Sequence, residues 1–292
     1  MDLCSEKDIR ALLGRHGFRF SKSMGQNFLI EGWVPRDIAE ASGAGPDTGV
    51  LEIGPGIGPL TVQLARRAAK VAAIELDRTL YPILAETLAP YPNAEVVPGD
   101  AMKLDLAALA ADKFSGLTPI ACANLPYNIT TPVLTALIEA GCFASITVMI
   151  QREVALRICA APGSSDYGAF SVFCQYHTQP ELLFEVGPEC FLPAPKVTSA
   201  VIRLVPRSAP PQNLVDESFF FQVVRASFAQ RRKTLANSLS ASLGGSYGKQ
   251  AVARAIEACG LPAAVRGERL SISDFAALSK ALRREEAASA AE

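Results

Sequence analysis

No stretch of this 292-residue chain approaches the roughly 18 to 20 consecutive apolar residues that a helix needs to cross a bilayer. The opening MDLCSEKDIR mixes acids and bases where a secretion signal would need an apolar core, so a soluble, cytoplasmic protein is expected. Histidine is scarce. His16 and His177 stand apart from each other and from cysteine at any ligand spacing, which argues against a metal site. The seven cysteines are odd in number, irregularly spaced and without a C-x-x-C pair. That excludes a disulfide framework and a zinc pattern, and fits a reducing compartment. An excess of either charge is missing too, the formal net charge being -1, whereas nucleic-acid partners usually demand surplus Lys and Arg. The cations are instead clustered, as Arg10, Arg15, Arg19 and Lys22 in one acid-free stretch and as Arg225, Arg231, Arg232 and Lys233 in another, while acids gather in the EEAASAAE tail. Plain solvated faces would give the same clusters.

What is present is an ordinary globular composition, 49% hydrophobic and 20% charged, on a chain long enough for one large and one small domain. From about residue 49 the short apolar runs GVLEIG, KVAAIELD, AEVVPGD, PIACAN and SITVMIQ alternate with helical stretches such as PLTVQLARRA and TPVLTALIEA. Runs this short and this continuously apolar suit strands buried on both faces, and their alternation with helices predicts a mostly parallel α/β sheet. After residue 165, YGAFSVFCQYH, ELLFEV and SAVIRLV read as further strands, added antiparallel at the sheet edge. Prolines accumulate from Pro188 to Pro211. Beyond them FFQVVRASFAQRRKTLANSLS, KQAVARAIEACG and the Ser-capped SISDFAALSKALR carry helical periodicity. Two domains are expected, residues 1–210 and a small all-helical domain over 211–292.

The most informative segment is Val50-Leu51-Glu52-Ile53-Gly54-Pro55-Gly56-Ile57-Gly58-Pro59-Leu60, a buried strand running into a glycine-rich turn and a helix. Dinucleotide binders use G-x-G-x-x-G there to rest a pyrophosphate on the helix N-terminus. The third glycine of that pattern would be position 59, which is proline. The G-x-G-x-G spacing, with an acid two residues before Gly54, resembles instead the first motif of class I methyltransferases, which implies a Rossmann-like fold and S-adenosylmethionine as cofactor. Gly54 and Gly56 would then admit the ligand. Glu75, ending the second run, is placed to accept from a ribose diol, and Asp100, ending the third, from an adenine amino group.

The fourth run ends in Asn124-Leu125-Pro126-Tyr127, which resembles the Asn/Asp-Pro-Pro-Tyr/Phe motif of amino-group methyltransferases. An exocyclic adenine nitrogen is a poor nucleophile because its lone pair is delocalised into the ring. The Asn124 side-chain oxygen and the Leu125 carbonyl can hold its hydrogens and favour a more tetrahedral nitrogen, with Pro126 fixing the turn. Tyr127 offers a flat face to a base extruded from its stack.

Taken with Gly25-Gln26-Asn27-Phe28-Leu29, Gln151-Arg152-Glu153-Val154-Ala155, Tyr167-Gly168, Phe191-Leu192-Pro193-Ala194-Pro195-Lys196-Val197 and the stretch from Phe228 to Lys233, the chain resembles the ribosomal RNA adenine N6,N6-dimethyltransferase family along nearly its whole length. That resemblance implies that Asn27 and Leu29 line the methionine end of the cofactor, that Gly54, Glu75 and Asp100 hold its remainder, and that Asn124 faces both cofactor and target amine. It places Phe191 over the face of the flipped base opposite Tyr127. The branch acting on two adjacent adenosines near the 3' end of 16S rRNA, within the small ribosomal subunit, is favoured. Arg231, Arg232 and Lys233 are candidates for RNA phosphate contacts, and a monomer is expected. The alternatives are a non-catalytic ribosome assembly factor and an adenine N6-methyltransferase acting on 23S rRNA or DNA.

Overall fold

A computed structural model describes residues 1–18, 27–212, 214–244 and 247–289. Arg19, Lys22, Gly25 and Gln26, singled out above, lie outside the described residues. The chain divides into two compact units, Met1–Ala155 with Thr178–Pro206, and Leu156–His177 with Arg207–Glu292.

The first unit runs α1 (Glu6–Arg15), β1 (Phe28–Leu29), α2 (Trp33–Ala41), β2 (Thr48–Ile53), α3 (Pro59–Ala65), β3 (Lys70–Glu75), α4 (Tyr81–Leu88), β4 (Ala94–Pro98), α5 (Leu106–Lys113), β5 (Thr118–Asn124), α6 (Thr130–Glu139) and β6 (Ile146–Gln151). α7 (Arg152–Cys159) and α8 (Ala169–His177) follow, and the chain returns to the sheet as β7 (Thr178–Val186), β8 (Phe191–Leu192) and β9 (Ser199–Pro206). Seven strands form one sheet in the order β4-β3-β2-β5-β6-β9-β7, while β1 and β8 make a separate antiparallel pair. β2 to β6 are mutually parallel, and β9 lies antiparallel between β6 and β7. This is the mostly parallel sheet expected from the apolar runs, in the Rossmann-like form that the resemblance implied. All six residues of β2 are buried, because helices cover both faces of a parallel sheet. The strand order reverses between β2 and β5, so their carboxyl ends flank the crevice where such sheets take ligands. At the far edge, β7 carries Glu181, which pairs with Arg203 at 2.6 Å, and a register shift between Leu182 and Phe184; both features discourage pairing with a further strand.

In the second unit, α9 (Glu217–Phe228), α10 (Leu235–Leu243), α11 (Lys249–Ala258) and α12 (Ile272–Ser289) join α8 around one apolar core. The strand expected over YGAFSVFCQYH is α8 instead. Its apolar residues recur at helical spacing, Val172 and Tyr176 being buried with Phe220 and Val223, and this packing overrides the β preference of its aromatics. The long helical stretch from Phe220 is two helices, separated where Thr234 caps α10 by accepting the Asn237 N–H. Ser271 and Asp274 bond reciprocally at the start of α12, Ser271 Oγ taking the Asp274 N–H at 3.2 Å and the Asp274 carboxylate taking the Ser271 N–H at 2.8 Å. Residues 156–177, which the sequence reading placed with the first domain, belong to this helical unit.

The near-zero net charge conceals a partition. Lys and Arg outnumber Asp and Glu thirteen to nine in the helical unit, a net +4, and are outnumbered twenty to fifteen in the other, a net -5.

Candidate functional site

The glycine turn after β2 forms one wall of a crevice of about 230 Å³. Gly54 and Gly56 have φ of +70° and +61°, a region that L side chains rarely adopt. A Cβ on Gly56 would also come within 3.3 Å of the Phe28 ring, so the backbone lies bare where a ligand would rest. Asn27 and Leu29, on either side of Phe28, line the same space.

Three carboxyl groups border the same crevice. Glu75 ends β3, and its Oε1 accepts the Asp77 N–H at 2.7 Å. Burial raises its pKa, and the amides of Asp77, Gly56 and Leu76 partly offset that rise. Asp100 follows β4; its Oδ1 accepts the Met102 N–H at 3.0 Å. Glu52, only 1% exposed, lines the crevice with an Oε2 that has no partner among the described residues. Burial, reinforced by neighbouring Glu75, pushes its carboxyl up to about 8. No Lys, Arg or His lines the crevice among the described residues.

That donor set decides between ligand classes. A dinucleotide would bring its pyrophosphate against Glu75 and Asp100, where no Lys, Arg or His lines the wall among the described residues and the one cation at hand is exposed Lys103, 3.7 Å from Asp100. A nucleoside carrying a positive charge, with ribose hydroxyls and an amino group to donate, fits the acceptors present. The residues therefore suit S-adenosylmethionine and not NAD.

The opposite wall comes from the end of β5. Asn124 sits opposite Met149 of β6, and the Leu125 N–H donates to the Met149 carbonyl at 3.0 Å. Neither the Asn124 carboxamide oxygen nor the Leu125 carbonyl receives a hydrogen bond from another described residue, so both acceptors remain available. Tyr127, half-buried, opens a short 3-10 turn and places its hydroxyl 2.6 Å from Ser199 Oγ. Phe191 lines the crevice too, but it is 3% exposed and packs in a core with Val186 and Cys190; its strand partner is Leu29. Gly54 and Asn124 thus open onto one space, and the ten residues expected at the cofactor and the target base all border it.

The expected RNA-contacting cations stand elsewhere, in the turn between α9 and α10 of the helical unit. Arg232 and Lys233 are exposed. Arg231 is engaged, donating to the carbonyls of Ser165 and Tyr167 and lying 4.0 Å from Glu268. In the N-terminal cluster Arg10 pairs with Glu6 and Arg15 with Glu86. No group of three or more His, Cys, Asp or Glu placed to hold a metal occurs among the described residues.

Sequence reasoning noted Glu52 only as part of the glycine motif and gave it no role. The available signal was a lone acid inside the apolar run VLEIG, which burial on both faces turns into an ionisable group beneath the site. Phe28, whose ring would meet a Cβ on Gly56, carried no such signal.

Known proteins resemble this chain over most of its length. The family model described as ribosomal RNA adenine dimethylase matches residues 17–282. A protein of Geobacillus kaustophilus named ribosomal RNA small subunit methyltransferase A is 48% identical over 284 residues, covering 96% of this chain and 97% of its own. One of the same name from Shouchella clausii is 46% identical over 283 residues, covering 96% of each chain. Among solved structures, a dimethyladenosine transferase from Plasmodium falciparum matches with a TM-score of 0.74 at 25% identity, over 88% of this chain and 98% of its own. The 23S rRNA methyltransferase ErmE matches with a TM-score of 0.65 at 28% identity, over 88% of this chain and 100% of its own.

Proposed function

The chain belongs to the ribosomal RNA adenine dimethylase family, and we propose that it transfers methyl groups from S-adenosylmethionine to N6 of two adjacent adenosines near the 3' end of 16S rRNA in the small ribosomal subunit. The observation that carries this reading is the single crevice with a bare glycine turn and three carboxyl groups on one side and two unengaged acceptors, Asn124 and Leu125, on the other. The choice of the small-subunit substrate draws on relatives of that name at 46–48% identity, against 28% for the 23S enzyme.

When bound, S-adenosylmethionine supplies an electrophilic methyl group on a sulfonium sulfur. Gly54 and Gly56 let the backbone approach the ligand closely, Glu75 takes the ribose hydroxyls, Asp100 the adenine amino group, and Asn27 and Leu29 border the methionine end. The Asn124 oxygen and the Leu125 carbonyl grip the two N6 hydrogens of the target base, drawing its lone pair out of conjugation. Tyr127 and Phe191 hold the extruded ring between them, and stacking of this kind is worth about 1 to 3 kcal/mol per base. Rate then comes from holding nitrogen, carbon and sulfur in line. The amine becomes acidic on alkylation, so its proton passes to water at Asn124 or to solvent without a strong base. The net +4 helical unit, with Arg232 and Lys233 exposed, provides cations for RNA phosphates. The protein acts as a cytoplasmic monomer in this reading.

Primer extension across the small-subunit 3' end, with and without the protein, is the direct test: two adjacent stops dependent on protein and methyl donor are expected. Methyl incorporation confined to 23S rRNA or to DNA would overturn the substrate assignment. Unchanged subunit binding with no incorporation anywhere would favour an assembly factor.

A further inference from the structure

The segment from β8 to β9 bears on both rings expected to hold the target base. Phe191 begins it. Ser199, fully buried, ends it as the first residue of β9, with its backbone set between Gln151 of β6 and Val186 of β7. The neighbouring Thr198 carbonyl accepts the Arg152 N–H at 3.0 Å, which braces the same corner of the sheet. Ser199 does not border the crevice, yet its Oγ lies 2.6 Å from the Tyr127 hydroxyl. Tyr127 sits in one short turn, and this is the one side-chain hydrogen bond its ring makes among the described residues.

We infer that Ser199 is a positioning residue for methyl transfer, fixing the place and tilt of the Tyr127 ring axis against which the target adenine stacks. The inference rests on the stacking role proposed for Tyr127. A ring held only at its Cβ end can swing about the Cα–Cβ bond within its rotamer well. The phenol oxygen is the atom that such a swing displaces furthest, so tethering it to a buried strand residue removes that freedom. Tilting the base by a few degrees swings N6 out of line with the donor, and misplacements of about 1 Å cost rate by as much as about a hundredfold. Because Phe191 and Ser199 lie on one braced segment, that segment sets the gap between the two ring faces as well as the tilt of one of them.

The test is a double-mutant cycle on unmethylated small subunits, with the full-length variants Ser199→Ala, Tyr127→Phe, the two combined, and Tyr127→Ala. Ser199→Ala and Tyr127→Phe should each lower kcat about tenfold with KM for the subunit within about twofold, and the double variant should fall no further than either single one. Three results would overturn the inference: parental kcat in Ser199→Ala, multiplication of the two losses in the double variant, or a loss confined to KM. Should Ser199→Ala fail to fold, Tyr127→Phe breaks the same bond while leaving Ser199 in place, and parental kcat there refutes the inference equally. An active Tyr127→Ala would remove the stacking role itself, and with it the inference. An inactive Tyr127→Ala beside an unaffected Ser199→Ala would remove only the role of Ser199.

Discussion

Glu75 Oε1 accepts the amide proton of Asp77 at 2.7 Å, so one oxygen of this carboxylate is fixed by its own turn while the group borders the crevice. A carboxylate oriented in this way binds a ribose diol without first losing side-chain freedom. Glu75→Ala should weaken S-adenosylmethionine binding by about ten- to a hundredfold in calorimetric titration, the equivalent of a lost charge-assisted hydrogen bond of about 1.5 to 3 kcal/mol. Unaltered affinity would remove the ribose assignment.

Asn124 should matter to chemistry and not to docking. Its carboxamide oxygen has no other employment among the described residues, and the cations proposed to contact RNA lie in a different unit. Asn124→Ala is expected to lower methylation by about two to three orders of magnitude, by analogy with loss of one preorganised polar group at a reacting atom. Subunit binding measured by sedimentation should stay near the parental level; methylation at the parental rate would refute the acceptor role.

Glu52 should make the ligand-free protein less stable as pH rises. A carboxyl whose pKa climbs from its ordinary 4.5 to about 8 on folding holds its proton longer in the native state than in the unfolded one. Its contribution is complete below the unfolded value and is lost as pH rises towards about 8, at no more than about 1.4 kcal/mol per pH unit for a single site. The melting temperature of the parent should therefore fall across that window more steeply than that of Glu52→Gln. Parallel curves would show that Glu52 ionises as freely in the folded protein as in the unfolded chain.

The basic turn of the helical unit divides into two kinds of cation. Neutralising Arg232 or Lys233 should reduce the slope of log affinity against log salt by about one unit for each RNA phosphate left without its cation. Arg231, bonded to the carbonyls of Ser165 and Tyr167, should instead lower the melting temperature when replaced by Ala. An unchanged salt dependence in an Arg232, Lys233 double variant would place the RNA surface elsewhere.

The sheet was legible because a strand covered on both faces must be apolar throughout, and VLEI, VAAI and IACA satisfy that with no competing pattern. The cofactor wall was legible for a related reason: glycines and strand-end acids are the residues that a tight turn at a crevice requires. α8 was not, since FSVFCQYH is rich in aromatics that favour strands in isolation, and only packing against Phe220 and Val223 makes the helix the better solution. Nor could the pairing of Tyr127 with Ser199 be read, because the partners lie 72 residues apart and neither residue type announces the other.

The crevice bordered by Glu75 and Asp100, with no Lys, Arg or His on its wall among the described residues, has a bearing on the polymer as well as on the small ligand. A phosphodiester pushed into it would meet repulsion at each step, whereas an uncharged purine enters freely. On the function proposed above, the cavity would act as an electrostatic sieve that admits a single base and turns away its ribose-phosphate thread, leaving the phosphates to the cations of the net-positive helical unit.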